Sequence, residues 1–109
     1  MSDHVNASGQ VLGQAYFLDL LGDAYNGLGR YDEAITALSE AAGAFRQHGA
    51  LCAHAVCLFK IAQSYLAMAR GELAARYLEE CLPIFRELEL PGHEEQAARA
   101  LAACSAAAG

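Results

Sequence analysis

The chain has 109 residues, enough for one domain with a modest core. Apolar residues make up 55% of it but aromatics only 8%, with no Trp, so alanine carries much of the apolar content and close helix packing is favoured over a sheet. A net charge of −6, with Lys60 the only Lys among seven basic residues, argues against the basic patches that direct nucleic-acid or anionic-membrane binding requires.

The start of the chain, residues 1–8, has no basic segment followed by an apolar core, so it does not read as a signal peptide and is expected to be flexible. No apolar run approaches the roughly 20 residues of a membrane helix, and a cytoplasmic protein is expected. The first helix is expected at about 9–28. Leu18, Leu21, Tyr25 and Leu28 recur there at helical spacing, with Ala15 and Gly22 on the packing side. Gly29 then supplies a turn. Asp32 and Glu33 open a second helix, about 31–48, where carboxylates suit the helix dipole. Ala34, Leu38, Ala41 and Phe45 form its inner stripe, and Gly49 stops it.

His48, Cys52 and His54 flank the next connection, but their spacing matches no zinc signature, and a helix starting near 51 would splay them. His54 and His93, near helix starts, are expected to be solvent-exposed. The remaining helices are expected at about 51–69, 72–89 and 93–107. Cys52, Cys57, Cys81 and Cys104 form no CxxC and read as small thiols in a reducing compartment. Pro83 lies mid-way through the fourth helix, at the place Gly43 holds in the second, and should bend that helix outward.

Displaced by 40 residues, the sequence matches itself. Leu18 falls on Leu58, Leu21 on Ile61, Gly22 on Ala62 and Tyr25 on Tyr65; Ala34 falls on Ala74, Leu38 on Leu78 and Phe45 on Phe85. A further shift puts Leu101 under Ile61. The units are therefore about 10–49 and 50–90, with the first helix of a third at about 92–107. Small residues at Gly22/Ala62 and Ala34/Ala74 let paired helices cross closely, while Leu18, Leu21, Tyr25 and Leu38 fill the space around them.

Leu21-Gly22, Tyr25, the run Gly29-Arg30-Tyr31-Asp32-Glu33-Ala34-Ile35, then Leu38 and Ala41, resemble the tetratricopeptide repeat pattern, in a long form of 40 residues against the usual 34. The phrases Ala44–Gly49 and Ile84–Leu88 are similar to the long-repeat arrays of bacterial regulatory and signalling proteins, including transcriptional activators. Heavy use of Ala and of Arg over Lys suggests a GC-rich genome. The resemblance implies an all-α, right-handed superhelix of stacked antiparallel helix pairs, two full repeats plus one terminal helix. It also implies a scaffold for protein or peptide binding rather than an enzyme. No nucleophile elbow or phosphate loop is present, and no cofactor or metal is expected.

In this family the first helices line a concave groove. Carried onto this chain, its positions are Tyr16, Asp19, Asp23 and Asn26, then Val56, Phe59, Lys60, Gln63 and Leu66, then Gln96, Arg99 and Ala103. Asp19, Asp23 and Asn26 share one face at i, i+4 and i+7. Asp19 and Asp23 are expected to stand clear of the packing stripe and to repel a carboxylate, so the expected partner is a protein or peptide with basic and apolar residues. The alternative is self-association through the open ends, to a homodimer; a small-ligand sensor is a weaker reading. The alanine-rich last helix reads as an unfinished third unit that leaves an apolar flank.

Overall fold

The computed structural model describes the backbone of residues 2–108 and the side-chain surroundings of residues 9–105; the flexible lead-in expected over 1–8 lies outside the described side chains. Five helices follow one another: α1 (Ser2–Gly27), α2 (Tyr31–Gln47), α3 (Leu51–Ala67), α4 (Gly71–Glu87) and α5 (Pro91–Ala108). There is no strand among the described residues. Each helix packs on the next in the chain, and α3 also touches α1. The result is a slab of about 55 × 32 × 18 Å.

The connections explain the regularity. Residues 29, 49, 69 and 89, spaced by 20, all adopt positive φ: Gly29 at 76°, Gly49 at 74°, Ala69 at 60° and Glu89 at 56°. The amide that follows each one then donates to a carbonyl five residues back. Arg30 N reaches Tyr25 O at 2.9 Å, Ala50 N reaches Phe45 O at 2.8 Å, Arg70 N reaches Tyr65 O at 2.8 Å and Leu90 N reaches Phe85 O at 3.0 Å. This left-handed C-terminal turn satisfies the last carbonyls of each helix. No side chain caps the N-termini of α2, α3 or α4, so this turn sets where one helix ends and the next begins. Glycine suits the turn at 29 and 49; alanine and glutamate adopt it against their Cβ at 69 and 89.

One continuous core runs through the stack. Ala34 and Ala74 are fully buried, as the repeat requires of the crossing inside each unit. Leu38 and Leu78, and Phe45 and Phe85, occupy equivalent places and are equally enclosed. Each such side chain contributes about 2–3 kcal/mol by leaving water. Gly22 is packed so closely on α2 that a Cβ there would stand 2.5 Å from Leu38 Cγ. Pro83 lies on the exposed side of α4, where the carbonyl it deprives of a partner can meet water.

Leu18 and Tyr25 pack against the core while half-buried, and Leu21 is half-buried beside them, whereas Leu58 and Ile61, the counterparts of Leu18 and Leu21, are buried. One expectation is corrected. His54 is buried, not exposed, and its Nδ1 donates to the Ala42 carbonyl at 2.8 Å, tying α3 to α2. The sequence placed His54 near a helix start correctly, but that start is roofed by α2.

Candidate protein-binding surface

The first helix of each unit, α1, α3 and α5, presents one register at 40-residue intervals. Tyr16, Val56 and Gln96 form one row, Asp19, Phe59 and Arg99 a second, and Asp23, Gln63 and Ala103 a third. Along these rows Tyr16, Gln63, Gln96 and Arg99 are exposed, and Val56, Phe59 and Leu66 are half-buried against the core. Tyr16 lays its ring edge-on to Phe45, with centroids 4.8 Å apart, so this exposed ring is held in place. Arg99 extends into solvent beside Glu95 at 3.6 Å.

The acidic part of the row is not what its spacing suggested. Lys60 Nζ donates to Asp19 Oδ1 at 2.8 Å and to Asp23 at 3.1 Å. Cys57 Sγ lies 3.8 Å from Asp19. One turn further along, Ser64 Oγ donates to Asn26 Oδ1 at 2.7 Å and is itself almost fully buried. Asp19 and Asn26 therefore belong to the contact between α1 and α3. The expectation that Asp19 stands clear of the packing surface is corrected: α1 and α3 lie close enough for one lysine to span two carboxylates.

The electrostatics follow. Two carboxylates and one ammonium leave a net charge of −1 rather than −2. Burial works against the Lys60 ammonium, but hydrogen bonds and charge from Asp19 and Asp23 outweigh it, and its pKa is raised. Asp23 is the more open of the two acids, with 47% of its side chain accessible against 19% for Asp19, so any charge offered to a partner comes mainly from Asp23.

Sequence reading missed Ser64, Leu20 and Phe17. The 40-residue shift held the signal: Lys60 falls on Leu20, Cys57 on Phe17 and Ser64 on Ala24. The side chains that bind α3 to α1 thus have counterparts on α1 itself.

The cysteines are all free thiols. Burial pushes Cys57 and Cys81 up to about 12, which disfavours the thiolate at neutral pH. Among the described residues, no three His, Cys, Asp or Glu side chains come together as metal ligands, and no helix is long and apolar enough to cross a membrane.

A family model described as tetratricopeptide repeat matches residues 13–87, which takes in most of α1 and all of α2, α3 and α4. No curated protein matches the chain.

Proposed function

This chain belongs to the tetratricopeptide repeat family, and we propose that it binds an extended or helical peptide segment of another protein along the face of α1, α3 and α5. Repeats of this family are non-catalytic scaffolds that mediate protein–protein interaction. The observation that carries the proposal is the repetition of one register, Tyr16, Val56 and Gln96, on three successive first helices, the first two of them, α1 and α3, clamped together by Lys60.

A held surface loses little conformational freedom on binding. Tyr16, Val56, Phe59 and Leu66 supply apolar contact, and Asn26, Gln63, Gln96 and Arg99 supply polar contact around it. Asp19, Asp23 and Lys60 together give the α1 end of the strip a slight negative charge. The preferred peptide carries one or two large apolar side chains and a basic residue placed to meet Asp23. Burial of the apolar anchors would hold the complex, and charge would mainly tune encounter. The 40-residue period supports the same module working inside a cytoplasmic bacterial regulatory protein, and the coding sequence on either side would test that setting.

The test of binding is selection from a random displayed peptide library on the immobilised protein. A recovered peptide is then titrated against the wild type and against Val56→Gln and Gln63→Ala. Apolar-plus-basic peptides are expected, with affinity falling about tenfold for Val56→Gln. Equal affinity for all three proteins would remove this face from the account.

A further inference from the structure

A second surface lies at the first end of the stack. Among the described residues, the most exposed large apolar side chains are Leu28 at 69%, Leu20 at 67% and Phe17 at 64%. They lie on α1 or just beyond its end, and Leu21 shares their side at helical spacing. Beside them a groove of about 340 Å³ runs between α1 and α2, with Leu18, Leu21 and Tyr25 on one wall. Asp32, Glu33 and Glu40 stand on the other.

The chain's second unit shows what such a surface is built to meet. Moved on by 40 residues, Phe17, Leu18, Leu21 and Ala24 become Cys57, Leu58, Ile61 and Ser64, all buried against the preceding helix pair. The same register is buried in unit two, whereas in unit one Phe17 and Ala24 are exposed and Leu18 and Leu21 are half-buried. Unit one carries more apolar residues at these places: Leu20 stands where Lys60 reaches back to two carboxylates, Phe17 where Cys57 lies against Asp19, and Ala24 where Ser64 bonds Asn26.

The rim decides between occupants. Of the rim acids Asp32, Glu33 and Glu40, Glu33 is paired with Arg30, which also lies over the Tyr25 ring; Asp32 and Glu40 make no ion pair among the described residues. Face-to-face pairing of two copies would bring both acidic rims together. A partner with basic residues flanking an apolar stripe would meet opposite charge instead. From Phe17 to Leu28 the face is about 16 Å long, roughly three turns of helix.

We propose that the end face formed by Phe17, Leu20, Leu21 and Leu28, with its acidic rim on α2, docks an amphipathic helix bearing lysine or arginine along the edges of its apolar stripe. This site is separate from the face of α1, α3 and α5 and does not depend on it.

The probe is a synthetic 18-residue peptide of leucine and lysine, with leucine on one helical face. A second peptide has glutamate in place of lysine. Each is titrated into the isotopically labelled full chain, with backbone amide shifts and affinity as readouts. The lysine peptide is expected to move amides of α1 and α2 around Leu21 and Thr36. Its affinity is expected to fall at least tenfold in Phe17→Gln/Leu20→Gln, and severalfold in Asp32→Asn/Glu40→Gln. Leu88→Gln, an exposed position at the end of α4, should leave it unchanged. The glutamate peptide should bind at least tenfold more weakly.

All substituted positions are exposed, and circular dichroism checks that each variant is folded. Equal binding of the two peptides, or undiminished binding by Phe17→Gln/Leu20→Gln, would overturn the proposal. So would a dimer that the same double variant dissociates, which would assign the face to a second copy. Shifts confined to α3 and α5 would also overturn it, by placing the peptide on the other face. The library titration on Val56 and Gln63 registers failure of that other reading separately.

Discussion

Lys60 Nζ stands 2.8 Å from Asp19 Oδ1, joining α3 to α1 across 41 residues of sequence. The pair is partly shielded, with 23% and 19% of the two side chains accessible. It works less as an isolated ion pair than as a spacer between α1 and α3.

Lys60→Met is expected to destabilise the protein by roughly 1–2 kcal/mol at neutral pH, because it strands a half-buried carboxylate. The folded-state pKa of Lys60 is raised above its ordinary value of 10.5. Its contribution is therefore fully present below that value and is lost as pH rises through the higher folded value. Denaturant titrations of wild type and variant should differ at pH 7 and converge above the folded pKa. A constant gap across that range would exclude the lysine charge as its cause.

Asp19→Asn/Asp23→Asn is expected to lower the melting temperature as well as to alter peptide binding, because Asp19 belongs to the α1–α3 contact. The predicted loss is about 1–2 kcal/mol. An unchanged melting temperature would mean that the lysine adds nothing to the packing of α1 on α3.

Two glycines in the same unit should respond oppositely to alanine. Gly22→Ala puts a methyl 2.5 Å from Leu38 Cγ in a side chain that is fully buried, and should cost roughly 1–3 kcal/mol. Gly43→Ala meets nothing within 4 Å inside a helix and should stabilise by about 0.5–1 kcal/mol. Calorimetry of the two variants would show both signs; Leu38→Ala in the Gly22→Ala background should relieve the clash.

Ala69→Gly and Glu89→Gly should each stabilise the protein, by about 0.5–1 kcal/mol, since both positions hold left-handed backbone that glycine adopts without a Cβ penalty. Thermal unfolding of the double variant gives the sum. A loss of stability would show that the flexibility glycine adds to the unfolded chain outweighs the relief.

Alkylation of the native protein at pH 8 should modify Cys52 quickly and leave Cys57 and Cys81 intact. Cys52 is exposed, whereas the other two are buried with pKa pushed up to about 12, leaving roughly one thiolate in ten thousand. Cys104 is buried and shifted in the same direction. Mass spectrometry after timed quenching reads the order.

The sequence by itself determined the repeat. The match of Ala34 with Ala74 and Phe45 with Phe85 set which side chains are enclosed, and Gly29 and Gly49 marked two of the four turns. Helical periodicity suffices there, because it fixes which residues share a side of their own helix. The turns at Ala69 and Glu89 lacked a glycine to mark them and emerge only from the common 20-residue spacing.

What lies across from each side chain was decided by the tertiary structure. Asp19 and Asp23 share a face in any helix, but only the closeness of α1 and α3 lets one lysine reach both and halve their charge. Leu58 and Leu18 have the same periodicity, yet Leu58 is buried and Leu18 only half-buried, since burial depends on which helices lie beside each. His54 is buried by α2, 12 residues earlier in the chain, through a carbonyl that no sequence pattern marks. Burial is a property of neighbours, and neighbours are set by the spacing and crossing of whole helices.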